Sequence, residues 1–218
     1  VQNDNIHYYN GWKTNKAHRV NIKCIIPTYG CFARSYKINK YGRWKDSGVR
    51  LEGEGAWSFT VMFLQMWNYF RYSEGSYLSY KPEVDFSNIE DGYVQPYADS
   101  PIDHENQAEN IYLNIINYAK DYVYIFTPYL IIDEEMCVAL CNAAKSGVDV
   151  RIVTPGIPDK KLVFLLTQSY YQELLKANVK IYQFAKGFIH AKCFVCDDEI
   201  ATVGCINLDY RSLYLHYE

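Results

Sequence analysis

With 218 residues, 49% of them hydrophobic, the chain is long enough for one large domain or two small ones around an ordinary packed core, which excludes a disordered chain. A net charge of −3 and an isoelectric point near 6.0 lack the basic excess of a broad nucleic-acid surface, so no nucleic-acid partner is expected. No apolar run reaches the roughly eighteen residues of a transmembrane helix. The 22 tyrosines suit an interface between apolar and wet surroundings, including a membrane surface, but a compositional bias of the source is the preferred account of them. Seven cysteines (Cys24, Cys31, Cys137, Cys141, Cys193, Cys196, Cys205) without a secretory leader point to a reducing compartment. Cys193 and Cys196 have zinc-finger spacing, but on a strand they face opposite sides and no second pair completes a site. The chain starts at Val1 with no Met and no signal pattern, as a piece of a longer protein would.

Residues 1–45 are polar and aromatic without a readable period. Val49 to Glu52 alternates as a short strand, and Ala56 to Tyr72 is a helix apolar on most sides, expected to be buried. Residues 72–91, rich in Ser, Glu, Gly, Pro and Asn, read as a linker. A strand over Val94 to Ala98 opens the second half, followed by a helix over Glu105 to Lys120 and a strand over Val123 to Thr127. Next come a helix over Glu134 to Lys145 closed by Gly147, a strand over Val148 to Val153, a helix over Asp159 to Lys176 and a strand over Val179 to Phe184. This alternation predicts an α/β fold with a mixed, largely parallel sheet flanked by helices. Thr127-Pro128-Tyr129 and Thr154-Pro155-Gly156 then fall at the carboxyl edge of the strands, where open α/β sheets hold ligands.

The chemistry concentrates in Phe188 to Asn207. Ile189 to Cys196 reads as a strand whose His190 and Lys192 share one face, an imidazole and an ammonium suited to a phosphate. Asp197 has the opposite parity and is expected to end the strand and fix local geometry. Asp197-Asp198 makes a tight turn into a strand over Ile200 to Val203, Gly204 permits a bend, and Asn207 returns an amide donor towards His190.

The pattern H-x-K-x4-D then G-x-x-N (His190, Lys192, Asp197, Gly204, Asn207) resembles the signature of the phospholipase D superfamily. The runs VQPYADSP, TPYLIIDEEM, AAKSGVDVRIVTPGIPDKK and IYQFAKGFIHAK, with YGRWKDSGVRLEGEGAWSFTVMFLQMW upstream, look specifically like bacterial cardiolipin synthases. The resemblance implies a phospholipase D-like fold in two halves, a partial first half with linker over 1–90 and a second half over 91–218, complete up to Glu218.

It also implies a reaction without metal or cofactor. One imidazole attacks a phosphodiester to give a phosphohistidine, and another protonates the departing alkoxide. Two phosphatidylglycerols would yield cardiolipin and glycerol at the cytoplasmic face of a bacterial cell membrane. By the resemblance His190 is the acid and His18 the nucleophile, Lys192 and Asn207 bind the phosphate oxygens, and Glu218 holds the far nitrogen of His190. Cys205 stands in the phosphate site where Ser or Thr is usual, and Gln183 where an acid is expected. The first motif is degenerate: Val20 holds the Lys position after His18, Ile25 holds the Asp position, and Lys23 is out of parity. Asp46 matches the carboxylate that pairs with the first motif's histidine. Lys23, a homodimer pairing two intact motifs, or residues outside this chain could supply the missing clamp. Cardiolipin synthases carry an N-terminal membrane hairpin, which nothing here matches. The rival expectations are a phosphodiesterase that transfers to water and an inactive lipid-binding remnant, the latter favoured by Val20 and Ile25.

Overall fold

The computed structural model describes residues 15–16, 19–23, 41–42, 44–52, 54–71, 75–81, 93–102 and 104–218; His18, Cys24, Ile25 and Cys31 lie outside them. The chain divides into two compact units, Val1–Lys23 with Val49–Ala98, and Cys24–Gly48 with Asp99–Glu218. In the first, β1 (Asn15–Lys16) pairs antiparallel with β4 (Tyr93–Val94), and β2 (Arg19–Lys23) lies beside β3 (Gly48–Glu52). The strand expected over Val94 to Ala98 stops after Val94, two residues before Pro96, which has no N–H to give a ladder. Helix α1 (Glu54–Arg71) forms nearly as expected but is not buried all round. Ser58 and Leu64 are buried, while Phe63, Met66, Trp67 and Phe70, spaced i, i+3, i+4, i+7, are exposed.

The second unit is built on a mixed five-stranded sheet in the order β10-β9-β5-β7-β8. Its parallel part is β5 (Tyr122–Phe126), β7 (Asp149–Pro155) and β8 (Lys180–Phe184), joined by the crossovers anticipated from the alternating pattern. The antiparallel edge is the hairpin of β9 (Cys193–Cys196) and β10 (Ile200–Val203). Asp197 and Asp198 sit at φ 51° and 57°, the left-handed pair that such a tight hairpin turn demands. A short parallel pair, β6 (Leu130–Ile131) with β11 (Leu208–Asp209), lies beyond the end of β5.

Along β5 and β7 burial alternates. Val123, Ile125, Val150 and Ile152 are enclosed, whereas Tyr122, Tyr124 and Arg151 face outward. Helices α2 (Gln107–Tyr118), α3 (Glu134–Lys145) and α5 (Tyr171–Lys176) pack with the sheet, and Tyr112 of α2 stacks on Phe194 of β9 at 4.3 Å between centroids. Burying side chains such as Ile115, Ile116, Met136, Leu140 and Leu174 contributes about 1.5–3 kcal/mol each against exposure. The helix expected over Asp159 to Lys176 is two, α4 (Lys161–Ser169) and α5, because the Ser169 hydroxyl takes the Leu166 carbonyl at 2.6 Å and competes with the helical ladder. A last short helix, α6 (Tyr210–Tyr214), starts where Asp209 accepts from the Ser212 N–H at 2.8 Å.

Candidate active site

The strand expected to run from Ile189 begins at Cys193, because an upstream segment occupies the backbone of residues 188–191. Phe188 N–H donates to the Tyr41 carbonyl at 3.0 Å, and Lys45 N–H donates to the Phe188 carbonyl at 2.9 Å. The Lys45 carbonyl accepts from His190 at 2.6 Å and from Ala191 at 3.2 Å. Gly42 makes the approach feasible: at φ +68° it lies against Gly187, and a Cβ there would stand 2.7 Å from the Lys186 carbonyl oxygen. Trp44 then packs over both Phe188 and His190, with centroids at 4.5 and 5.2 Å.

This registration delivers Asp46 to His190. Its Oδ2 lies 3.0 Å from the imidazole Nδ1, and its Oδ1 accepts from the Ser47 N–H at 3.0 Å. Glu218 is the partner of His190 that the resemblance implies, and that expectation is corrected: Asp46, from far upstream, holds the ring. The Asp46 side chain is 13% exposed against 38% for His190, so the carboxylate is shielded while the ring opens to solvent. Burial pushes the Asp46 carboxyl up, but the hydrogen bond and charge of His190 and the charge of Lys192 outweigh it, holding it below its ordinary value. With Nδ1 committed to an ionised Asp46, Nε2 is the nitrogen left to exchange a proton.

Lys192 is 7% exposed, and its ammonium donates to the His190 carbonyl at 2.5 Å. Burial lowers its pKa to about 8 against the opposing pull of the Asp46, Glu218 and Asp209 carboxylates. Asn207 is placed by the backbone behind it. Leu208 pairs with Leu130 and its N–H donates to Thr127 Oγ1 at 3.3 Å, so the turn after β5 fixes the approach of residue 207. The Asn207 amide donates to Ser212 Oγ at 2.9 Å, which in turn donates to Glu218 Oε1 at 3.2 Å. Glu218 also pairs its backbone with Asp99 and lies 3.7 Å from His216 Nδ1. Desolvation and the neighbouring Glu218 carboxylate push the Cys205 thiol up to about 12, so it stays protonated near neutral pH.

Asp197 stands at the other end of β9, where its carboxylate accepts from the N–H groups of Lys120, Asp121 and Tyr122 at 2.7, 3.1 and 2.7 Å. Three backbone donors hold it below its ordinary pKa, and the side chain braces the entry to β5. Gly204 donates to the Lys192 carbonyl at 3.3 Å without a left-handed φ and with open space where a Cβ would sit, so the bend there does not rest on glycine's freedom. Gln183 is exposed on β8. Sequence reasoning missed Trp44 and Ser212. The aromatic before Asp46 was a visible signal for the first; nothing local marked the second. The arrangement gathers a shielded carboxylate, an oriented imidazole and a buried ammonium, able to bind an anionic oxygen and pass a proton to its neighbour.

The family described as cardiolipin synthase, PLD-like domain, matches residues 112–218. An uncharacterized protein of Streptococcus mutans serotype c is 55% identical over 182 residues, covering 84% of this chain and 39% of its own length. The cardiolipin synthase of Geobacillus kaustophilus is 40% identical over 186 residues, covering 83% and 36%. Cardiolipin synthase 2 of Bacillus cereus is 38% identical over 181 residues, covering 83% and 35%. Of solved structures, the phospholipase D family member Nuc from Salmonella typhimurium aligns over 53% of this chain and 74% of its own, at 19% identity and a TM-score of 0.46. The chain thus spans little more than a third of the length of these curated relatives.

Proposed function

We propose that this chain, whose residues 112–218 match the cardiolipin synthase, PLD-like domain family, is part of a phosphatidyltransferase that joins two phosphatidylglycerols into cardiolipin and glycerol. The observation that carries this reading is the Asp46 to His190 contact at 3.0 Å beside the buried Lys192. In this reading residues 1–90 are the partial first half and linker in sequence and residues 91–218 the second half with the full H-x-K-x4-D pattern, although residues 24–48 group with the second half in one compact unit.

In this reading the Lys192 ammonium and the Asn207 amide bind the non-bridging oxygens of the phosphodiester and stabilise the charge that builds at five-coordinate phosphorus. His190 enters as imidazolium, its Nδ1–H held by Asp46, and gives the Nε2 proton to the departing glycerol alkoxide. The nucleophile is a second imidazole, assigned to His18, and the bond it forms is a phosphohistidine. An acceptor alcohol then gives its proton to His190 Nε2 and displaces the imidazole. No metal or cofactor takes part. The substrate is drawn from a membrane surface, placed at the cytoplasmic face. Among the described residues no helix is long and apolar enough to cross a membrane.

The test is to incubate the chain with radiolabelled phosphatidylglycerol vesicles in chelator and trap acid-labile, base-stable label on protein. Label lost in His18→Ala supports the assignment and a working first half. Label kept in His18→Ala but lost in His190→Ala moves the nucleophile to His190 in a homodimer. Absence of label and of product in folded protein rejects transferase activity for this chain alone.

A further inference from the structure

Helix α4 stands out because its apolar residues face outward. Leu162, Leu165 and Leu166, at i, i+3 and i+4, are 81%, 61% and 48% exposed, and Ile157 just before the helix is 38% exposed. The opposite side carries the buried Thr167, whose hydroxyl accepts from Leu130 N–H at 3.1 Å and pins the helix on β6. The leucine face is therefore held outward by a packed anchor.

Its charge has one sign. Lys160 and Lys161 begin the helix, and no acidic residue follows until Glu173. The one neighbouring carboxylate in sequence, Asp159, is tied up by the Tyr129 hydroxyl, which donates to it at 2.7 Å. Lys186 is exposed in the turn after β8, whose carbonyl and the Ile157 side chain both lie within 3.1 Å of where a Cβ of Gly42 would stand. A chain of ring contacts runs from the start of this helix through the buried Phe188 to the histidine. The Lys160 ammonium sits 5.7 Å over the Tyr129 ring, Tyr129 is 6.4 Å from Phe188, and Phe188 is 6.1 Å from His190.

We propose that the Leu162, Leu165, Leu166 face of α4, rimmed by Lys160, Lys161 and Lys186, docks on the surface of an anionic phospholipid bilayer and holds the His190 site at headgroup level. The committed occupant follows from the pairing of an outward leucine stripe with lysines alone, the pattern of a helix lying in the interface plane. It rests on the proposed lipid chemistry for its purpose, but its binding is measured without turnover.

Sedimentation with phosphatidylcholine vesicles, with and without about 30% phosphatidylglycerol, tests it. The chain should bind the anionic vesicles. Leu162→Ser/Leu165→Ser/Leu166→Ser should weaken that binding at least about tenfold, and Lys160→Gln/Lys161→Gln about fivefold per lysine on anionic vesicles only. His190→Ala should bind as the parent does, which separates failure of docking from failure of the chemistry. Should the triple variant misfold, Leu165→Trp gives a second reading: its fluorescence should shift blue and be quenched by brominated phosphatidylglycerol. Unchanged binding by the leucine variant, no added quenching in Leu165→Trp over the parent, or a leucine-dependent dimer in the absence of vesicles would overturn the proposal.

Discussion

Lys192→Met at constant volume is the sharpest perturbation of the site. The buried ammonium titrates near 8 where an ordinary lysine titrates at 10.5, so below pH 8 the fold carries a charge it disfavours. The distance between those two values corresponds to about 3 kcal/mol, an order-of-magnitude figure. The sign follows from proton counting. Between pH 8 and 10.5 the unfolded chain binds more protons at this residue than the folded one, so parental stability rises with pH across that window and the penalty is full at pH 7. Lys192→Met should therefore be up to about 3 kcal/mol more stable than the parent at pH 7, with the difference gone by about pH 10.5, and should lose phosphate binding. Urea unfolding of both proteins at pH 7, 8.5 and 10, followed by circular dichroism, measures this, because titrating groups that do not feel Lys192 cancel in the difference and the Asp46 carboxyl, which does, stays ionised throughout that range. A variant less stable at pH 7, or a gain independent of pH, refutes the idea that this lysine is held charged against its surroundings.

Three further outcomes are expected. Asp46→Asn, which leaves Nδ1 of His190 without a carboxylate, should lower lipid transfer by about 10²- to 10⁴-fold with little change in vesicle binding, measured by product formation on phosphatidylglycerol vesicles. Asp197→Ala should lower the unfolding midpoint and speed hydrogen exchange at the Lys120, Asp121 and Tyr122 amides, and the parent should lose the same brace as pH falls through the depressed Asp197 pKa. Tyr214→Phe removes a hydroxyl that donates to Glu109 and stands 3.3 Å from Asp133, leaving two carboxylates to face one another; urea unfolding should show a loss of about 1–3 kcal/mol at pH 7.

Much of the second unit was legible because its signals are local. The alternation in Tyr122 to Phe126 and Asp149 to Pro155, the helical spacing of Ala108, Tyr112, Ile115 and Ile116, and the Asp197-Asp198 turn each specify their own backbone. The spacing of His190 and Lys192 likewise marked the segment that the structure brings beside Asp46. What escaped was set by distant packing. The start of β9 shifts to Cys193 because Lys45 takes the backbone of residues 190 and 191, and no period within 189–196 records that competitor. Asp46 rather than Glu218 holds His190 for the same reason, since which carboxylate meets a ring is decided by the path of the chain between them. The outward stripe of α1 was misjudged as core because apolar composition reports a wish for cover without naming what provides it.

Asp46 and His190 stand 144 residues apart in sequence, and their meeting has a consequence for assembly. The strands β5, β7, β9 and β10 lie within about eighty consecutive residues and can pair early, whereas residues 41–46 must close a long loop to join them. The acid–base pair is therefore expected to be among the last contacts made on folding. A fragment starting at Asp99 would present an incomplete cradle for the segment bearing Trp44 and Asp46, and that segment, supplied as a separate peptide, would be a candidate for complementation in trans.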